Sequence, residues 1–81
     1  MSIAEKIKSL MREIAEENEV ELNPQISSET VLLQSGLDSL GFAILVARLE
    51  EELGYDPFTL MEEPIYPQTF GELVEIYERF A

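Results

Sequence analysis

Residues 35–53 read SGLDSLGFAILVARLEEEL, a polar turn followed without a break by apolar residues at helical spacing. Advancing about 100° per residue, Phe42, Leu45, Val46, Leu49 and Leu53 gather on one side of a helix running from about Ser39 to Leu53. Gly54 follows, the residue best able to adopt the left-handed conformation that closes a helix. The gathered side is expected to be core. The opposite side carries Leu40, Ile44 and Ala47, with Arg48 and Glu51 beside them. An outer helix face is ordinarily polar, so this apolar one is either covered or used for docking.

Upstream, Ile3, Ile7, Leu10, Met11 and Ile14 space as one face of a first amphipathic helix over about 3 to 17, with Ser2 and Glu5 in capping-box register at its start. Residues 18–37 have no steady period and contain Asn23-Pro24, Ser27-Ser28 and Ser35-Gly36. They also hold Val20, Leu22, Ile26, Val31, Leu32, Leu33 and Leu37, which predicts a long loop pinned by apolar anchors, with a short helical turn near Glu29 to Gln34. Loops of this length are uncommon in small domains and are frequently functional. Downstream, Pro57 blocks simple continuation of the central helix, FTLMEE at 58–63 predicts a short third helix before Pro64, and Thr69 with Glu72 caps a last helix over about 70 to 80. Phe70, Leu73, Val74, Tyr77 and Phe80 form its apolar stripe. No period-two strand and no internal repeat is visible. The expected fold is all-α: a small four-helix bundle, three main helices plus the short third one, with a long first loop, in a single domain over 1–81. A chain of 81 residues supports one modest core.

Composition narrows the chemistry. The chain has no histidine and no cysteine, and its two lysines, Lys6 and Lys8, fall on the first helix. No Ser-His, Cys-His or Schiff-base arrangement can therefore be drawn around Ser39. The alternating Asp/Asn loop of a calcium site is absent as well. We expect no catalytic residue and no metal site: the chain reads as a protein that is acted upon. Five basic residues stand against seventeen acidic ones, a formal charge of −12, and neither 13–47 nor 49–78 contains a base. Nucleic acid and anionic membrane surfaces would be repelled, and no apolar run reaches bilayer length, which excludes membrane insertion. The absence of cysteine fits the cytoplasm, and a monomer is expected.

Gly36-Leu37-Asp38-Ser39-Leu40 resembles the Gly-x-Asp-Ser-Leu attachment motif of the acyl and peptidyl carrier proteins. The likeness extends over the amphipathic first helix, the long loop, the LEEELG close at 49–54 and TFGELVEIY at 69–77. It implies that a phosphopantetheinyl transferase moves phosphopantetheine from coenzyme A onto Ser39. It also implies that Asp38 contacts that transferase and its magnesium ion, in addition to the helix-capping role its position supports. Further partners implied are a loading ligase or transferase for an acyl or aminoacyl group and a downstream synthase or acyltransferase. Their docking surface is expected at Leu40, Ile44, Ala47 and Arg48, with Glu50, Glu51 and Glu52 supplying acidity farther along. Carriers of fatty-acid synthesis typically have acidic residues where this chain has Gly41 and Ile44, which points to a specialised lipid, polyketide or peptide pathway. The alternatives are the housekeeping fatty-acid carrier and an unmodified acidic interaction module in which Asp38-Ser39 is only a cap.

Overall fold

Ser2 caps the first helix, its hydroxyl accepting the Glu5 amide at 3.1 Å, and α1 runs Ile3–Glu17. The computed structural model describes residues 2–62 and 66–81. Ile7, Leu10, Met11, Ile14 and Ala15 of α1 are buried, with Ile3 packed at their edge, as the apolar spacing requires. They meet Leu45 and Leu49 of α2 (Ser39–Leu53) and Phe70, Leu73 and Tyr77 of α4 (Phe70–Arg79) in one core. Lys6 pairs with Glu52 at 3.2 Å and Arg48 pairs with Glu17, which ties α1 to α2 at two points on the surface.

The long loop is held differently from the sequence expectation. Ile26, Leu32 and Leu37 are buried and Leu22 is half-buried, but Val20, Val31 and Leu33 are exposed and do not join the core. Main-chain hydrogen bonds take their place: Leu32 donates to the Gln68 carbonyl at 2.9 Å, Phe70 to Thr30 at 2.8 Å and Gly71 to Ser28 at 2.9 Å. Val31 and Thr69 form one antiparallel bridge within this contact. Extended backbone alternates its side chains, so pairing here sends Leu32 inward and leaves Val31 outside. Gly71 allows the approach, since a Cβ there would lie 2.8 Å from the Ser28 carbonyl oxygen. A single 3₁₀ turn, Leu32–Gln34, occupies the place expected for a short helical turn.

Gly54 closes α2 with φ 84° and donates to the Glu50 carbonyl at 2.8 Å. The short third helix, α3, spans Pro57–Leu60, so Pro57 opens it where the sequence placed the start one residue later. The first helical position has no use for an amide hydrogen, and Asp56 caps the turn by accepting the Phe58 amide at 2.9 Å. Met61 already lies beyond α3; Glu63 and Pro64, which entered that expectation, lie outside the described residues. In α4 the buried set adds Ile76, absent from the expected stripe, while Val74 and Phe80 are only half-buried. Among the described residues there is no strand, and no helix is long and apolar enough to cross a membrane.

Candidate functional site

The turn before α2 is built to be rigid. Gly36 has φ 120°, a left-handed conformation that glycine alone adopts at little cost, and a Cβ there would overlap the Glu21 carbonyl oxygen and meet Leu22 Cα at 3.0 Å. The outgoing and returning arms of the loop cross at this point, joined by the Asn23 amide donating to the Ser35 carbonyl at 2.7 Å. Ser35 is buried and its hydroxyl donates to the Leu32 carbonyl at 2.6 Å, while Leu37 plugs into the core. Three residues after Gly36, the chain enters α2 at Ser39.

Asp38 is the N-cap. Its Oδ1 accepts the Gly41 amide at 2.8 Å and its carbonyl accepts the Phe42 amide at 2.9 Å. The amides of Ser39 and Leu40 have no partner among the described residues. Ser39 itself is the first residue of a 15-residue helix and is exposed. Its hydroxyl therefore stands at the electropositive end of a helix beside free N–H donors, where an anion attached to it would be favoured.

The residues expected to form a partner surface do not share one environment. Leu40 is 67% exposed, and Ala47, Glu50, Glu51 and Glu52 are also exposed. Ile44 differs from its expected outward placement: it is half-buried and packs against the core. Arg48 is half-buried and engaged by Glu17, and Glu52 by Lys6, so two of the charges expected to face partners are already neutralised within the fold. The helix side expected to be core is similarly graded: Leu45 and Leu49 are fully buried, whereas Phe42, Val46 and Leu53 are half-buried.

Two depressions flank the serine. One, of about 220 Å³, is lined by Asn18, Val20, Gly36, Leu37, Asp38, Leu40, Gly41 and Ile44. The other, of about 190 Å³, is lined by Leu32, Leu33, Ser39, Phe42, Tyr66 and Pro67, with no charged side chain among the described residues that line it. The second was not apparent from the sequence, where Phe42 and Leu33 read as core and anchor. The available signal was Tyr66 next to Pro67, an aromatic residue in a stretch with no helical period. No histidine exists to activate Ser39, and both lysines lie on α1, so the arrangement suits a hydroxyl modified by another enzyme.

A family model described as a phosphopantetheine attachment site matches residues 5–59, a span that runs from α1 through the loop and α2 to α3. No curated protein and no solved structure matches the chain.

Proposed function

The chain belongs to the phosphopantetheine attachment-site family, and from that premise we propose that Ser39 is the residue that takes the prosthetic group. The family's carriers bear phosphopantetheine covalently and are not themselves catalysts. The observation that carries the assignment is the exposed Ser39 hydroxyl on the first residue of a capped helix, beside the unpartnered amides of Ser39 and Leu40. The fit to a phosphodiester is good, because two N–H groups and the helix dipole meet an anion there without any cationic side chain. In the transfer, Ser39 Oγ bonds to the phosphorus that bears pantetheine, the adenosine bisphosphate half of coenzyme A leaves, and the serine proton passes to the transferase. Asp38 keeps one carboxylate oxygen on the Gly41 amide, and we assign its other oxygen to the transferase and its magnesium ion. When bound, the group supplies a terminal thiol on which a carboxylic cargo is held as a thioester.

We further propose that the cargo is an acyl, aminoacyl or polyketide intermediate of a specialised pathway, received from a loading ligase or transferase and passed to a synthase or acyltransferase. Two positions support this. Gly41 is buried, and a Cβ there would press on Leu37 Cδ2 at 3.3 Å and Asp38 Oδ1 at 3.4 Å. An acidic side chain at 41, usual in fatty-acid carriers, is therefore disfavoured by packing as well as by charge. Ile44, at the other such position, is apolar and half-buried. The partner surface that remains is Leu40 and Ala47 near the serine, with Glu50 and Glu51 farther along α2.

Incubation with coenzyme A and a broad-specificity phosphopantetheinyl transferase tests the assignment. Intact mass should rise by one phosphopantetheine, peptide mapping should place it on Ser39, and Ser39→Ala should stay unmodified while retaining its helical circular dichroism. No mass gain under conditions that load a known carrier would sink the assignment and leave an acidic helical interaction module.

A further inference from the structure

Resting on the assignment of Ser39, we propose that the depression between the end of α1 and the first turns of α2 is a socket for one apolar side chain of the phosphopantetheinyl transferase, with a basic residue of that enzyme beside it. The depression has a volume of about 220 Å³, and its lining includes Asn18, Val20, Asp38, Leu40, Gly41 and Ile44. An apolar cavity of roughly 150 Å³ holds benzene, so a single leucine or phenylalanine side chain fits. Gly41 keeps the floor open. It is buried without a side chain, and a Cβ there would lie 3.3 Å from Leu37 Cδ2 and 3.4 Å from Asp38 Oδ1, atoms of two residues that also line the depression. The rim is apolar and bare: Leu40 on α2 is 67% exposed, and Val20, just past the end of α1, is 40% exposed.

Contiguous exposed apolar side chains ordinarily mark a binding surface, and charge selects what binds this one. Asp38 Oδ1 accepts the Gly41 amide, while Oδ2 has no partner among the described residues. Glu19 and Glu21, on either side of Val20, are exposed, and no base occurs between residues 13 and 47. An apolar side chain accompanied by Lys or Arg answers both features, whereas an acidic partner is repelled. Chemistry then selects the transferase among the partners. It must bring the phosphorus to the Ser39 hydroxyl, whose neighbours Asp38 and Leu40 both line the socket. Every later enzyme acts at the thiol, at the far end of the arm. The contact thus reaches beyond α2 onto the chain leaving α1, where Val20 was expected to anchor the loop.

The test is steady-state loading of the full chain with coenzyme A and a broad-specificity phosphopantetheinyl transferase. Val20→Lys removes the apolar rim and sets a base against the enzyme's own, so KM for the carrier should rise about tenfold at unchanged kcat, the mark of a contact made equally before and during transfer. Val20→Ile should load like the parent. Val20 lies outside the core, so the melting temperature should hold in both. A second measurement leaves the rim unaltered. In methyl-labelled Ser39→Ala, which the transferase can bind but not modify, the methyl signals of Val20, Leu40 and Ile44 should shift on titration, and those of Leu33, in the depression on the other flank, should shift least. Loading of Val20→Lys at the parental KM, or shifts at Leu33 with none at Val20, overturns the socket and leaves the attachment intact. Absence of mass gain in the parent overturns both.

Discussion

The hydroxyl of Tyr55 donates to the backbone carbonyl of Tyr77 at 2.7 Å, while the hydroxyl of Tyr77 is buried with no hydrogen-bond partner among the described residues. The two rings lie 6.1 Å apart, tilted by 50°, and Phe58 meets Tyr77 edge-on at 6.0 Å. Through these contacts the end of α2 and the short α3 are locked onto α4. Burial, with the neighbouring Asp56 charge second, pushes the Tyr77 phenol well above its ordinary value of 10.0.

Tyr77→Phe should therefore stabilise the fold. An unsatisfied buried hydroxyl costs about 1–3 kcal/mol, and Phe keeps the ring packing while removing it. We expect a gain of about 1 kcal/mol in urea unfolding, with Ser39 loading unchanged. The sign with pH follows from the raised phenol: the folded state holds its proton more tightly than the unfolded state, so stability is intact below pH 10.0 and falls as pH rises above it. Tyr77→Phe should weaken that alkaline loss. A variant less stable than the parent would show that the hydroxyl has a partner.

Much of this arrangement was legible in the residues, and the reasons are local. The apolar periods of α1 and α2, the Ser2, Asp38 and Thr69 caps, and Gly54 as terminator each depend on neighbours within a turn or two. What escaped depended on distant pairing. Val31 and Leu33 look like anchors to any hydrophobicity count, yet the main-chain contact with residues 68–71 decides which loop side chains turn inward. Ile44 read as outward because helical phase alone cannot show how far the core reaches around that turn of α2. The cleft beside Ser39 escaped for the same reason, since it joins the 3₁₀ turn to Tyr66 and Pro67 across a long stretch of chain.

Gly36→Ala should be one of the costlier single changes near the serine. Its positive φ alone is worth about 1–3 kcal/mol for a residue with a Cβ, and the clash with Glu21 adds to it. Gly54→Ala faces open space at φ 84°, so its cost should be limited to about 1 kcal/mol. Thermal melts of both variants decide the matter. Equal losses would mean that the crossing of residues 21–23 with 35–36 does not constrain the turn.

Salt should stabilise the domain. With a formal charge of −12, folding brings carboxylates together, and ionic strength screens their repulsion. The surface Lys6–Glu52 and Arg48–Glu17 pairs, each of a half-buried base with an exposed carboxylate, oppose this trend weakly, since such pairs contribute about 0–1 kcal/mol each. The melting temperature should rise from low to physiological salt, and Arg48→Ala should steepen that rise by removing one of five cations. A flat salt profile would show that the acidic surface imposes no net strain on the fold.

Leu40→Glu and Ile44→Glu separate docking from packing on α2. Leu40 is 67% exposed, so a charge there should leave the melting temperature nearly unchanged while weakening productive contact with a phosphopantetheinyl transferase. Ile44 is half-buried against the core beside Leu37, and a carboxylate placed there loses solvation without gaining a partner. That should destabilise the domain by about 1–3 kcal/mol. Paired melts and loading rates distinguish the two roles: Leu40→Glu should change kinetics at constant stability, whereas Ile44→Glu should change stability first. If Ile44→Glu melted like the parent and instead altered partner kinetics, Ile44 would be a docking residue whose packing against the core contributes nothing. If Leu40→Glu left every partner rate unchanged, the exposed apolar face next to Ser39 would have no part in recognition.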